Sequence, residues 1–460
     1  MQADALKMIL ALARAGATSR AWDQFVAAGF DRDEADFQAL TLKGRLLKDR
    51  ARQASANTRP TLFARAGDAY ERAAMFGTAS YPLVNAAAMA LQAGNRVKAG
   101  ELAGKVLHLI ESGTEPGETP YWGEATRAEA MLLLGRFDNA RESLAKAVQL
   151  APQAWEDHAA TLRQFALILS EFGEDDRWLD QFRPPSAMHF NGILGIAADD
   201  EAARDAIDMA VKAIAPGFAY GALAAGADIL AAEAAVSIGA ELHIVLPSQP
   251  DDFRQSSVEP LGANWSQRFD ALLDTADSIT ICASDDTTSA AGVTLAELHA
   301  MGLAVEKAAQ LQAKAVALRI EPADRPAIGD PWLHSGRPIL HVPVTADPAN
   351  SGTQLPAGSL RFDVALEGSA PRSFDAFDDA VQAIMTSDSA RAAIDCRTGD
   401  AVHVQALLPH SAHGMVAASR SAALALLAAG LASRIETIGE MAFPDGPIEL
   451  CLAALTRPSG

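Results

Sequence analysis

The stretch 217–257, GFAYGALAAGADILAAEAAVSIGAELHIVLPSQPDDFRQSS, narrows most what this chain can become. Small residues come first. A helix-compatible run follows from Asp228 to Gly239, and Glu241 to Leu246 then reads as a short apolar strand stopped by Pro247. A strand, a tight turn, a helix and a second strand in so few residues predict a parallel crossover unit, which needs a layered α/β sheet around it. Gly217, Gly221 and Gly226 are expected where the backbone turns tightly or a ligand comes close, with Ala222, Ala224, Ala225 and Ala227 leaving little side chain in the way. Such a turn at a helix start offers N–H donors to a phosphate or carboxylate. Equally, the small residues serve only to let helix and strand pack.

The surrounding pattern agrees with that unit. Arg183-Pro184-Pro185-Ser186 marks a boundary, because consecutive prolines disfavour helix and the periodicity changes after them. Beyond it, Gly192 to Ala198 is expected as a buried first strand, Asp200 to Ile214 as a crossover helix and Trp265 to Ala276 as another. Ser278 to Ala283, Ala315 to Ile320 and Pro338 to Val344 follow as strands, with a helix near Thr294 to Ala313. Strand ends at Gly195 to Asp199, Ala219 to Ala225, Pro247 to Ser248 and Ala283 to Asp286 would face one crevice. Before the boundary, apolar residues recur at helical spacing and no strand is predicted. Nine helices are expected, from Asp4, Ser19, Asp33, Arg59, Tyr81, Arg96, Tyr121, Phe137 and Trp155, with Gly77, Gly94 and Gly135 as stops.

Three domains are therefore predicted: a helical solenoid at 1–182, a Rossmann-like parallel sheet at 186–345, and a small α/β region at 346–460 that includes FDVAL, AAIDC and IETIGEMAFPDGPIELCLAAL. The excess of 58 acidic over 38 basic residues, a net charge of −20, opposes nucleic-acid polymers and anionic membranes while leaving a small nucleotide possible as ligand. Cys282, Cys396 and Cys451 are too scattered for a disulfide framework or zinc site. Neither a basic leader nor an apolar run of membrane length is seen, so a cytoplasmic protein is expected.

Several phrases resemble known families. GALAAGADILAAEAAVSIGAELHIVLP is similar to the first nucleotide-binding motif of the SLOG superfamily, which includes DNA-processing DprA/Smf proteins and LOG phosphoribohydrolases. Gly221, Ala222, Ala224, Gly226, Ala227 and Asp228 carry the match, although Gly221 and Ala222 replace the DprA-type serine and glycine. In order, GADILAAEAAVSIGAELHIVLP, DDFRQSSV, GANWSQRFDALLDTAD and MGLAVEKAAQLQAKAVAL resemble bacterial signalling proteins in which tetratricopeptide-like helices precede a SLOG-type domain. Residues 66–73 and 134–148 resemble tetratricopeptide repeats, and Thr61 to Leu169 is similar to the helical TRAF-binding region of ASK-type kinases. The final α/β region is similar to the closing strands of class III nucleotide cyclases. Reading Met415 to Arg420 as the helix that carries their asparagine and arginine, Arg420 matches and Val416 departs. Asp363 would be the first metal carboxylate, with no room for the second, so this part resembles a degenerate, catalytically silent cyclase.

The resemblance implies a ligand site at Gly195, Gly221, Ala222, Ala225, Gly226, Asp228, Glu233, Pro247, Arg254, Ser257, Thr294 and Glu297. Asp228 either caps its helix or accepts a ribose hydroxyl. Glu233 binds ligand or solvates a helix, and Arg254 is the nearest side chain suited to phosphate. Gly292, Thr294 and Glu297 fit only the tail of the LOG motif that carries a hydrolytic glutamate, and the Pro-Gly-Gly is absent. The implied function is nucleotide sensing relayed through the helices to a protein partner, with homodimerisation possible and no metal. The alternatives are a phosphoribohydrolase and a structural adaptor.

Overall fold

The computed structural model describes residues 2–14, 17–76, 80–113, 119–282, 287–322, 331–345, 354–398, 403–411, 415–444 and 446–456. The chain forms two compact units, Met1–Pro184 and Pro185–Gly460. The first consists of α1 (Gln2–Arg14), α2 (Thr18–Ala27), α3 (Phe37–Gln53), α4 (Arg59–Ala74), α5 (Ser80–Gln92), α6 (Arg96–Glu111), α7 (Pro120–Leu133), α8 (Phe137–Leu150) and α9 (Trp155–Phe172). Local chemistry sets these ends. Asp36 accepts from the amides of Gln38 and Ala39, Asn95 from that of Lys98, and Thr119 from that of Trp122, each meeting orphan donors of a first turn. Gly94 and Gly135, at φ 85° and 71°, end α5 and α7 in the left-handed region, as the sequence implies; Gly77 lies outside the described residues. Neighbouring helices pack as hairpins around Leu47, Phe63, Tyr70, Met89, Val106, Leu132 and Phe165. A Cβ at Gly44 would stand 2.7 Å from the Tyr70 ring, so the absence of a side chain there lets α3 and α4 touch.

The second unit opens with β1 (Ser186–Gly192), α10 (Glu201–Ile214), β2 (Pro216–Gly221), α11 (Ala227–Ser237), β3 (Glu241–Leu246), α12 (Pro250–Ser257), α13 (Ala263–Thr275), β4 (Ser278–Ile281), α14 (Ala290–Leu311), β5 (Ala315–Glu321), α15 (Pro331–His334) and β6 (Ile339–Pro343). Its sheet is parallel throughout, in the order β4-β3-β2-β1-β5-β6. The direction of winding reverses between β1 and β5, and the carboxyl ends there form a topological switch point.

One expectation in this region needs correction. The first strand is Ser186–Gly192, not Gly192 to Ala198. SAMHFNG carries His189 inside the sheet because the imidazole meets Arg319 of β5 at 2.8 Å, so a polar residue disguised a buried strand. GILGIAA instead loops over the sheet end, with Gly195 at φ 82°. The segment DDFRQSS forms helix α12, with Pro250 in its first turn.

A second sheet follows from β7 (Leu360–Leu366), β8 (Arg372–Phe374), α16 (Phe377–Met385), β9 (Ala392–Thr398), α17 (Val404–Leu407), β10 (Val416–Ser419), α18 (Arg420–Ala428), β11 (Ala432–Phe443) and β12 (Gly446–Leu455). Its order is β11-β12-β10-β9-β7-β8, with only β9 and β10 parallel. The helix expected over Met415 to Arg420 begins only at Arg420. Ala417 and Ala418 are small and fully buried between β9 and β12, and the Ser419 hydroxyl accepts from the amide of Ala422 to start α18. Val416 is thus in a strand and Arg420 in a helix, and they do not share a helical face. The two sheets pack through α14, which is apolar around its circumference. It lies on β1, β2, β3 and β5 and also meets α18, β7 and β9, contributing Leu295 and Leu298 to the second sheet's core.

Candidate functional site

The carboxyl end of β1 gathers three polar side chains from separate elements. Asn191 donates through Nδ2 to Glu297 Oε1 on α14. Asp228, in the first turn of α11, accepts from the amides of Gly192 at 3.1 Å and Ala224 at 3.2 Å, so one carboxylate ties the loop after β1 to the turn after β2. Asp228 is 7% exposed. Burial raises its pKa to about 7 against the pull of the Ala224 amide, and the neighbouring charge of Glu297 adds to the rise. Two carboxylates and one amide therefore converge at the switch point. Asn191 lies in β1, just ahead of Gly192, where the sequence pattern places the start of the first strand, so the pattern gives it no role.

The glycine-rich turn is built differently from the open anion cradle expected of it. The amide of Ala224 is held by Asp228, that of Ala225 by the carbonyl of Ser257 at 3.0 Å, and that of Ala227 by the carbonyl of Ile193 at 3.2 Å. Leu223, Ala225 and Ala227 are fully buried, while Ala222 is half-buried. Gly226, at φ 113°, bridges Leu194, and a Cβ there would meet Ile193 O at 3.0 Å and the amides of Gly195 and Ile196 at 3.3 Å. Gly221 is small for strand packing, since a Cβ would fall 2.5 Å from the Phe190 ring. The turn is thus stitched to the 193–196 loop by backbone bonds.

Other expected residues have partners of their own. Arg254 pairs with Glu259 at 2.6 Å and Asp270 at 3.2 Å, which spends the positive charge assigned to phosphate. Glu233 takes both forks of Arg268, whose guanidinium lies 4.3 Å over the Trp265 ring, joining α11 to α13. Ser257 is buried on α12, its hydroxyl 3.2 Å from that of Ser256. Thr294 donates to Ala290 O in its own helix. Pro247 packs against Gly292, where a Cβ would lie 3.4 Å away. The start of α14 is likewise closed: Ser289 accepts from Gly292, and the carbonyls of Pro356 and Ala357 accept from Ala290 and Ala291. Ala283 to Asp286 lie outside the described residues.

In the second sheet, Asp363 accepts from Ser373 Oγ and pairs with Arg397 at 3.0 Å. The sequence reading missed a second carboxylate. Asp395 stands directly opposite Asp363 across β7 and β9, and Arg397 also pairs with it at 3.4 Å. Both aspartates are about 1% exposed, and the guanidinium supplies the positive charge between them. Among the described residues no group of three or more His, Cys, Asp or Glu is arranged to hold a metal, and no helix is long and apolar enough to cross a membrane.

Consecutive helices of the first unit pack on one another as hairpins. A family model described as Tetratricopeptide Repeats-Sensor matches residues 5–90, from α1 into α5. No curated protein matches the chain.

Proposed function

We propose that the protein is a sensor in which the parallel sheet binds a nucleotide-derived small molecule at the β1/β5 switch point and the helical unit engages a protein partner. The observation that carries the ligand half is the convergence of Asn191, Asp228 and Glu297 at the position where open parallel sheets hold their ligands. With the Ala224, Ala225 and Ala227 amides engaged, this edge is rich in acceptors. It suits the hydroxyl and amino donors of a nucleoside better than a phosphate. The sensor description of the family matched at 5–90 supports the partner half.

A thermal-shift screen of nucleosides and nucleotides tests the reading. A ligand at a hundredfold excess over its Kd adds about 2.7 kcal/mol. That gain should disappear in Asn191→Ala and Glu297→Ala. A screen with no stabilising compound, or shifts that survive both substitutions, refutes it.

One observation favours a second reading, N-glycosidic hydrolysis. Glu297, at the position of the LOG-type glutamate, adjoins a buried aspartate whose pKa lies near neutrality. Incubation with nucleoside monophosphates should then release free base, and release should stop in Glu297→Gln.

A further inference from the structure

One edge of the parallel sheet is built unlike the other sheet edges of the second unit. β6, at the far side of the same sheet, follows Pro338 and ends in Pro343. In the second sheet, β8 begins with the exposed Arg372, and β11 carries Arg434, Glu436 and Glu440 and departs twice from regular register. Prolines, charges and bulges are the means by which folded proteins keep an edge from pairing with another chain. β4, the outermost strand beside β3, has an unbroken register and reads SITI, with no proline and no charge.

The side chains and the backbone of β4 are both open. Ile279 is 44% and Ile281 38% exposed, two residues apart and so on one face, whereas a parallel sheet ordinarily covers both faces. The pairing with β3 shows which backbone groups are left. Ile244 and Leu246 of β3 stand opposite Ile279 and Ile281, and Leu246 O accepts from the amide of Cys282 at 2.9 Å, one residue beyond Ile281. In a parallel ladder a residue that bonds the neighbours of its opposite number leaves that residue's own N–H and C=O turned away. Ile281, and by alternation Ile279, therefore present their backbone donors and acceptors to the open side, together with their side chains.

Charge decides what fits there. From Phe269 to Cys282 the only charged residues are Asp270, Asp274 and Asp277. Asp270 is matched by Arg254, whereas Asp274 and Asp277, which lead into β4, are exposed and have no lysine or arginine partner among the described residues. A second copy would set the same acidic approach against itself in a chain of net charge −20, and a self-complementary surface is what a two-fold contact needs.

We infer that β4 is a docking edge for an extended basic segment of a partner protein, which adds a strand to the sheet. Main-chain bonds to Ile279 and Ile281 would hold it, apolar side chains at alternate positions would cover those two isoleucines, and lysine or arginine between them would meet Asp274 and Asp277. This surface is distinct from the helical unit and uses no residue of the switch point, so a negative nucleotide screen does not bear on it.

The test is fluorescence anisotropy on the full chain with a labelled seven-residue peptide of alternating lysine and valine, its fully N-methylated form, and a version with glutamate for lysine. The first should bind saturably and more weakly as salt rises, and the other two at least about tenfold more weakly. Ile279→Pro removes an outward N–H without costing a bond to β3 and should weaken binding at least about tenfold. Ile281→Ser should weaken it about tenfold through lost apolar contact, and it carries the test if Ile279→Pro fails to fold. Leu333→Ser, at an equally exposed apolar residue on α15, should change nothing. Equal binding of the N-methylated peptide, or unaltered binding by folded Ile279→Pro or Ile281→Ser, would overturn the inference. So would light scattering that finds a dimer without peptide and a monomer for Ile279→Pro, which would assign the edge to a second copy.

Discussion

Substituting Gly302 by alanine tests whether α14 holds the two sheets of the second unit together. A Cβ at this position would lie 2.4 Å from Leu424 Cβ and 2.6 Å from Leu424 O on α18. Carbon atoms prefer about 3.5 Å or more, so the helices must separate by about 1 Å. Neither contact is a side-chain tip that can swing away. Overpacking of a tight core costs typically 1–3 kcal/mol, and a contact against backbone belongs near the upper figure, about 3 kcal/mol. Replacing a mid-helix glycine by alanine returns about 1 kcal/mol of helix propensity. The expected net loss is therefore about 2 kcal/mol. Gly104, on the exposed side of α6, has nothing within 4 Å of an added Cβ, so Gly104→Ala should stabilise the first unit by about 0.5–1 kcal/mol. Differential scanning calorimetry measures both. A unit of this size loses about 2–4 °C per kcal/mol, so Gly302→Ala should lower one transition by about 4–8 °C. Gly104→Ala should raise the other slightly. If Gly302→Ala is neutral or stabilising, the argument from the α14–α18 approach is refuted.

Arg420 grips Glu306 across the same contact, with Nη1 to Oε1 at 3.0 Å and both side chains about 20% exposed. Arg420→Met should destabilise by about 2–3 kcal/mol in urea unfolding, whereas the double variant with Glu306→Met should recover most of the loss. Asp228 has a folded pKa of about 7 against an ordinary 3.8, so the folded state holds its proton more tightly. Its contribution to stability is fully present below about pH 4 and lost as pH rises to 7, a span worth at most about 4 kcal/mol. Asp228→Asn should flatten the slope of unfolding free energy between pH 4 and 7, and an unchanged slope would refute this assignment. His189 behaves oppositely. Burial, followed by the charge of Arg319, depresses its pKa well below 6.5, so its stability contribution is present above pH 6.5 and declines in acid. Carbon-13 chemical shifts of the imidazole should show it neutral at pH 6, and a protonated ring there would contradict the geometry.

Helix periodicity and capping made the first unit legible. Each expected helix appears within a few residues, because Asn95, Thr119, Gly94 and Gly135 act on their own turns and need no distant partner. The parallel crossover around β2, α11 and β3 was equally local: Glu241–Leu246 is the predicted strand, and the small residues before Asp228 do form a turn into a helix. β1 escaped notice because His189 and Asn191 become acceptable inside a sheet only once Arg319 and Glu297 arrive from more than a hundred residues away. The second sheet hid β10 for a similar reason, since VAAS reads as helix until β9 and β12 enclose it.

Sequence alone thus determined what neighbouring residues can settle: helix starts and stops, the crossover, and the alternation of strands with helices. Tertiary structure decided how donors and acceptors far apart in the chain would pair. It turned the amides of Ala224, Ala225 and Ala227 toward internal acceptors, spent the charge of Arg254 on Glu259 and Asp270, and set Asp228 beside Glu297. Hydrogen bonds and ion pairs act over a few ångströms in space, whatever the separation in sequence, so their partners become known only when the chain is folded.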